Sequence, residues 1–371
     1  MSKALKPKKR ADRWFLAIVV TTVLFGFFVF MSAALGLYAR DGATFSSVMQ
    51  TQIIGVLSGF IFLIIASNIP YTFWRRMAMP IFVISTILMA VVLLPNVGFL
   101  HGGSSRWIYL GPLSFQPADL YKIAVVILYA ALIAKHKKNI ANFKYAVIPL
   151  LIIFGISGLL LILQPKIGTL VVIAITMFAM FITSGARAKH IALLLTILLP
   201  VLIAMLFLFP YARERIDTFL NPSENTMDES YQIQQSLIAV GSGGVFGRGY
   251  GQSIQKFSFL PEPISDSVFA VAAEEFGFIG GVIIIALVTL FTYRGLIIAI
   301  RAPDLFARLL VLGLVILISS QSFINIAAMI GLAPLTGMPL VFISHGGTAM
   351  LTALGSVGII LNVSKYSKQN S

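Results

Sequence analysis

Of the 371 residues, 58% are hydrophobic and only 11% charged, against about 25% charged in an ordinary globular domain. So few charges cannot cover a soluble surface, which excludes a water-soluble enzyme, and the absence of cysteine excludes disulfides, thiolate metal sites and cysteine nucleophiles. The net charge of +14 would suggest nucleic acid on a soluble protein, but on so apolar a chain it reports membrane topology.

A membrane-crossing helix needs about 20 mostly apolar residues, each rising about 1.5 Å through a core roughly 30 Å thick. Ten segments fit that ruler: 14–37, 49–69, 78–94, 116–134, 145–163, 167–184, 191–210, 268–292, 309–331 and 341–363. The third is short, and only Gln164, Pro165 and Lys166 separate the fifth from the sixth. The first is too long for a cleaved signal peptide, and nine more follow it. The predicted fold is an all-α integral membrane protein with ten transmembrane helices. A single ten-helix domain over 14–363 lies between a basic tail, 1–13, and a short tail, 364–371.

Ten spans put both termini on one side. With that side cytoplasmic, 19 of the 27 Lys and Arg fall inside, in the first tail and in short loops such as 135–144 and 187–189. This satisfies the positive-inside rule. Of the 13 acids only Asp12 and Asp304 lie inside, and nine sit between residues 211 and 275. The one long extracytoplasmic loop, 211–267 between helices 7 and 8, therefore concentrates the polar chemistry.

Within that loop, 229–240 carries Ile233, Leu237 and Val240 at helical spacing with glutamines opposite, which predicts a short helix on the membrane surface. The following GSGGVFGRGYG reads either as a close-packed turn or as a phosphate cradle; it lacks the GK[ST] ending of a nucleotide loop. Asp266, between Ser265 and Ser267, sits where the chain re-enters the membrane and reads either as a helix N-cap or as a working acid. Glu274 and Glu275 follow about 12 Å deeper along the helix, where a carboxylate is costly unless paired or functional. Lys122 lies three residues after Asp119, so the two can pair on one helix face. Arg106, Lys166, Arg213, Arg215, Arg248 and Lys256 complete the outward cations. Acids and several cations at an outer membrane face suit a lipid-linked pyrophosphate better than a small ion, with the cations neutralising the pyrophosphate and a carboxylate acting as base.

Longer motifs make the pattern specific. They include SSRWIYLGPLSFQPADLYK at 104–122, QPKIGTL at 164–170, ERIDTFLNP at 214–222, YQIQQSLIAVGSGGVFGRGYGQSIQKFSFLPEP at 231–263, AEEFGFIGG at 273–281, and TGMPLVFISHGG near the end. Over nearly its whole length the chain resembles the SEDS family (shape, elongation, division and sporulation), most of all its FtsW-like branch. That resemblance implies a ten-helix glycosyltransferase polymerising lipid II into β-1,4 glycan strands on the outer face of the bacterial cytoplasmic membrane, with undecaprenyl pyrophosphate released. It implies Asp266, after Pro261 and Glu262, as the catalytic acid. Arg106, Lys122, Arg213 and Lys256 are the expected pyrophosphate ligands, and Asp119, Glu262, Glu274 and Glu275 the supporting acids. A class B penicillin-binding protein and other divisome membrane proteins are the implied partners, with a septal location. No metal-ligand motif is present, and a divalent cation (Mg or Mn) stays open.

Four departures from the family pattern stand out. Ser267 follows Asp266 where phenylalanine is usual. Lys166 replaces an acid, Asp119 after Ala118 replaces the glutamate of QPSE, and His345 replaces the tyrosine of SYGG. Three other readings remain: a lipid II flippase using Lys122, Glu274 and Glu275 as a polar track, a RodA-like elongation polymerase, and a non-catalytic division scaffold.

Overall fold

The computed structural model describes residues 10–40, 42–94, 99–101, 104–110, 113–220 and 229–367. Residues 1–9 and 368–371 of the terminal tails expected at 1–13 and 364–371 lie outside these residues.

Helix α1 (Arg13–Arg40) is followed by α2 (Gly42–Asn68), a short α3 (Tyr71–Arg76) and α4 (Ala78–Val91). Three short strands come next, β1 (Phe99–His101), β2 (Ser104–Leu110) and β3 (Leu113–Phe115), paired antiparallel in that order. They amend the all-α expectation: Trp107, Ile108 and Tyr109 are aromatic or β-branched and favour an extended backbone. Then come α5 (Pro117–Lys135), α6 (Phe143–Leu163), α7 (Ile167–Thr183) and α8 (Ala188–Leu208). The segment after α8 holds α9 (Pro210–Leu220), α10 (Glu229–Ser242) and α11 (Gln255–Ser258). The chain ends with α12 (Val268–Ile300), α13 (Leu305–Met329) and α14 (Gly347–Ser364).

Among the described residues, seven helices are long and apolar enough to cross a membrane: α1, α2, α5, α6, α12, α13 and α14. The apolar α4 and α7 are shorter. Their outward faces carry large apolar side chains with no protein cover, such as Leu57, Ile61 and Ile64 on α2 and Ile152 and Leu159 on α6. In water such a surface would be a liability, whereas hydrocarbon is its natural solvent. The chain is a multi-pass membrane protein. The largest boundary differences from expectation are three: α2 already begins at Gly42 rather than 49, α12 continues to Ile300, and the predicted span from 341 begins as a helix only at Gly347.

Two buried apolar clusters organise the interior. The larger joins α5, α7, α13 and α14 around Tyr121, Tyr129, Phe181 and Leu310. The smaller joins α1, α10 and the start of α12 around Phe30, Ile233 and Phe269. The predicted helix at 229–240 is therefore α10, packed against protein through Ile233 as well as lying at the surface.

The two acids expected inside both cap helices. Asp12 accepts from the Phe15 N–H at 2.9 Å and pairs with Arg294 at 2.8 Å. Asp304 accepts from the Ala307 N–H at 2.9 Å and from the Tyr71 hydroxyl at 2.9 Å.

The glycine-rich run docks on α12 by its backbone. Arg248 and Gly249 N–H groups donate to the carbonyls of Glu274 and Glu275, each at 3.0 Å, and the Phe278 N–H returns to Gly244 at 2.8 Å. The helix breaks there, with Gly277 at φ 66°, ψ −161°, a conformation open essentially to glycine alone. A Cβ on Gly277 would run into the backbone of Gly247 and Val245. Of the two readings of this run, the close-packed turn is the one the structure contains.

Candidate active site at the head of helix α12

Pro117 fixes the first turn of α5 and places Asp119 near its N-terminus, where the helix dipole favours an anion. One turn on, Lys122 reaches back to Asp119 at 2.9 Å and donates to Gln321 of α13 at 2.9 Å. The Gln321 amide donates to the Pro339 carbonyl at 2.9 Å, which ties α5 and α13 to the loop before α14.

The same loop holds Asp266. Asn325 donates to the carbonyls of Asp266 and Met338, both at 2.8 Å. The Ser344 hydroxyl donates to the Ser265 carbonyl at 2.5 Å, and the His345 N–H to that of Ile264 at 2.7 Å. Glu262 has φ 47°, an uncommon left-handed conformation for a non-glycine residue. Its carbonyl accepts from the N–H groups of Ser265 and Ser267 at 3.1 and 3.2 Å. This tight turn ends on Asp266 without using its side chain as a cap: the N-cap of α12 is Ser267, and no side chain caps it.

These elements enclose a cavity of about 380 Å³. Its lining includes Glu262, Ser265 and Asp266, then Asp119, Lys122, Arg106 and Lys166, and also Arg215, Gln321, Thr336 and His345. Asp266 is 8% exposed, and its Oδ1 has no hydrogen-bond partner among the described residues. Burial first, and Glu262 second, push its carboxyl up to about 7, while its own backbone N–H, Gln232 and Arg215 pull the other way. A base poised near neutrality is suited to accepting a proton from a sugar hydroxyl.

Of the four expected pyrophosphate ligands, Arg106 and Lys122 line this cavity. Arg213 does not; it is largely exposed and pairs with Asp217 at 3.6 Å. Lys256 is fully buried elsewhere, bound to Glu275 at 2.6 Å and to the Ser32 hydroxyl at 3.0 Å. Glu274 belongs to that second cluster: it accepts from the Ser253 hydroxyl at 2.6 Å and the Ile254 N–H at 3.0 Å, with Arg248 at 3.5 Å. The deep carboxylates thus tie α11 to α12 and α1. Of the four supporting acids, Asp119 and Glu262 line the cavity.

Several polar cavity residues carried no assigned role in the sequence, Gln321 and His345 among them, and Arg215 and Lys166 stood only in the general set of outward cations. The signal for Arg215 was its place in the ERIDTFLNP motif, and for His345 its place in SHGG. Gln321 sits in a short polar run, Ser319 to Ser322 with Asn325 one turn on, within an apolar span; that run was the available signal. Among the described residues, no three His, Asp or Glu side chains gather as metal ligands.

The match to the Cell cycle protein family model FtsW/RodA/SpoVE runs from residue 12 to residue 369. The chain belongs to this family. Stage V sporulation protein E of Bacillus subtilis (strain 168) is 37% identical over 364 residues, 97% of this chain and 99% of that protein. The probable peptidoglycan glycosyltransferase FtsW of Geobacter sulfurreducens (strain DL-1 / KN400) is 34% identical over 367 residues, 98% of each. Among solved structures, a chain from a peptidoglycan synthase complex that coordinates polymerization and crosslinking superposes with a TM-score of 0.80 at 25% identity, covering 97% of this chain and 99% of that one. The rod shape determining protein RodA of Thermus thermophilus shares the fold, with a TM-score of 0.69 at 24% identity, covering 97% and 98%.

Proposed function

We propose that this member of the FtsW/RodA/SpoVE family is a peptidoglycan glycosyltransferase that polymerises lipid II and releases undecaprenyl pyrophosphate. The observation that carries the reading is Asp266: a buried carboxyl with an unpartnered oxygen, in a cavity that also presents Arg106, Lys122, Lys166 and Arg215. Asp266 accepts the proton of the acceptor GlcNAc C4 hydroxyl. The C4 oxygen forms its bond to C1 of the donor MurNAc as the bond from C1 to the pyrophosphate oxygen breaks, and the electron pair leaves on the pyrophosphate. Attack from the face opposite the leaving group converts an α-linked donor into a β-1,4 product. Fixed cations stabilise the leaving charge more strongly in a water-poor cavity than in bulk water.

The topology that fits this chemistry has ten spans, both termini in the cytoplasm and the cavity facing out, supported by the charge asymmetry of the loops. In that arrangement α4, α7 and α8 cross with the seven longer helices. A penicillin-binding transpeptidase of class B is the fitting partner, since the solved complex this chain resembles pairs polymerization with crosslinking. A septal site in cell division is supported by relatives named FtsW.

Polymer formed from purified lipid II by the protein in detergent, where no second leaflet and no gradient exist, is the expected result. Lipid II transfer between leaflets of vesicles without any polymer in either setting would instead establish the flippase reading. Glu274 and Glu275 are engaged with Ser253 and Lys256 and do not line the cavity, which argues against a continuous polar track through Lys122.

A further inference from the structure

Three of the cavity's cations are already engaged by protein. Lys122 is held between Asp119 and Gln321. Arg106 donates Nε and Nη2 to the carbonyls of Gln164 and Pro165, at 3.0 and 3.1 Å. Arg215 donates to the Leu335 carbonyl at 2.9 Å. Lys166 differs: it lines the cavity, yet among the described residues its Nζ has neither a hydrogen bond nor an ion pair.

Its backbone, by contrast, is firmly placed. The Lys166 N–H donates to the Leu161 carbonyl at 2.8 Å, and Lys166 is the N-cap of α7. Arg106 clamps the two preceding carbonyls, and the Gln164 amide donates to the Met89 carbonyl at 2.9 Å. A rigid turn thus presents one ammonium group, together with the positive end of a 17-residue helix, to the cavity. A sheltered ammonium with no hydrogen-bonded or ion-paired partner is costly, the more distant pull of Asp119 offsetting only part of it, and that cost is recovered when a ligand brings an anion into contact.

We propose that Lys166 binds the pyrophosphate of the lipid-linked donor and stabilises it as it leaves, with Lys122 and Arg106 holding the wall from which it reaches. This deepens the glycosyltransferase reading and rests on it. The charge inventory agrees: four cations stand in the cavity against the carboxylates of Asp119, Glu262 and Asp266. As the bond from C1 to oxygen breaks, the pyrophosphate gains one negative charge, and the Lys166 ammonium is the donor not already spent on a protein acceptor. Desolvation first, then Lys122 and Arg106, lower Lys166 to about 7, with Asp119 opposing them. Its charge is therefore responsive to an arriving anion. The other charged or titratable groups lining the same cavity are Glu262, Asp266, Arg215 and His345.

The test measures binding of undecaprenyl pyrophosphate to the full-length protein in detergent, beside polymerisation of lipid II. Lys166→Met should weaken binding roughly tenfold or more, the loss expected for one charge-assisted hydrogen bond, and Lys166→Arg should restore it. In kcat/KM for lipid II, the alkaline fall as Lys166 loses its proton should move to higher pH in Lys166→Arg. Asp266→Asn, which removes the base and no cation, separates the two ideas. If that variant still polymerises lipid II, the catalytic reading fails whatever Lys166 does. If Lys166→Met binds undecaprenyl pyrophosphate as tightly as the unmodified protein, the Lys166 assignment is overturned while the base is untouched.

Discussion

A carboxyl poised at about 7 is half ionised near neutrality, so the proton inventory of Asp266 governs when it can act as a base. Its folded value lies above that of a free carboxyl, and only the ionised form accepts the substrate proton. The acid limb of the activity profile should therefore lie near 7, with activity lost as pH falls below it, while loss of the Lys166 proton bounds the profile on the alkaline side. Glu262 contributes to the raised value, so Glu262→Gln should move the acid limb of the kcat/KM profile to lower pH. An acid limb unchanged in Glu262→Gln would contradict the assigned coupling. At this scale the sequence exposed Asp266 through the crowding of acids into 211–275 and through its motif. It could not choose between Arg213 and Arg215. Two residues apart on a helix they point roughly 200° apart, and only the phase of α9 decides that Arg215 meets the cavity while Arg213 pairs with Asp217.

At the scale of elements, the segment between α8 and α12 is fixed by buried charge and by backbone contact. Lys256, Glu275 and Ser32 bring α11, α12 and α1 to one point. Removing one partner of a buried ion pair strands the other and costs about 3–5 kcal/mol. Lys256→Met should therefore lower the thermal unfolding midpoint sharply, and Lys256→Met with Glu275→Leu should recover much of it. A Lys256→Met midpoint equal to that of the unmodified protein would show that the pair is not structural. Gly277→Ala should impair folding by a separate route, because its φ of 66° and its approach to Gly247 both exclude a Cβ; folded yield by size-exclusion chromatography reports it. The helices themselves were legible as apolar runs, down to the three-residue gap between α6 and α7. The strands at 99–115 were not, because they are short and lie in a loop whose pattern is too brief to carry a period. The Lys256–Glu275 partnership was equally hidden, since 19 residues and a folded loop separate the two.

For the whole molecule, the charge that first excluded solubility also predicts orientation. The chain has no cysteine, so single reporters are unambiguous. Lys138→Cys, on an exposed turn, should react with an impermeant thiol reagent only from the cytoplasmic side, and Arg213→Cys only from the outside. Labelling of both from the same side would overturn the proposed topology. The cavity drew its walls from α5, β2, the α6–α7 turn, α9, the turn before α12, α13 and the loop before α14. No local pattern could report that convergence, although each motif along it was visible. The central claim is that Asp266 is the base of a glycosyl transfer carried out in that cavity. Its most direct test is the rate of glycan-strand formation from purified lipid II by the unmodified protein and by Asp266→Asn, both with the same thermal midpoint. Strands are expected from the first and none from the second, whereas strands of normal length at a normal rate from Asp266→Asn would contradict the assignment of the base.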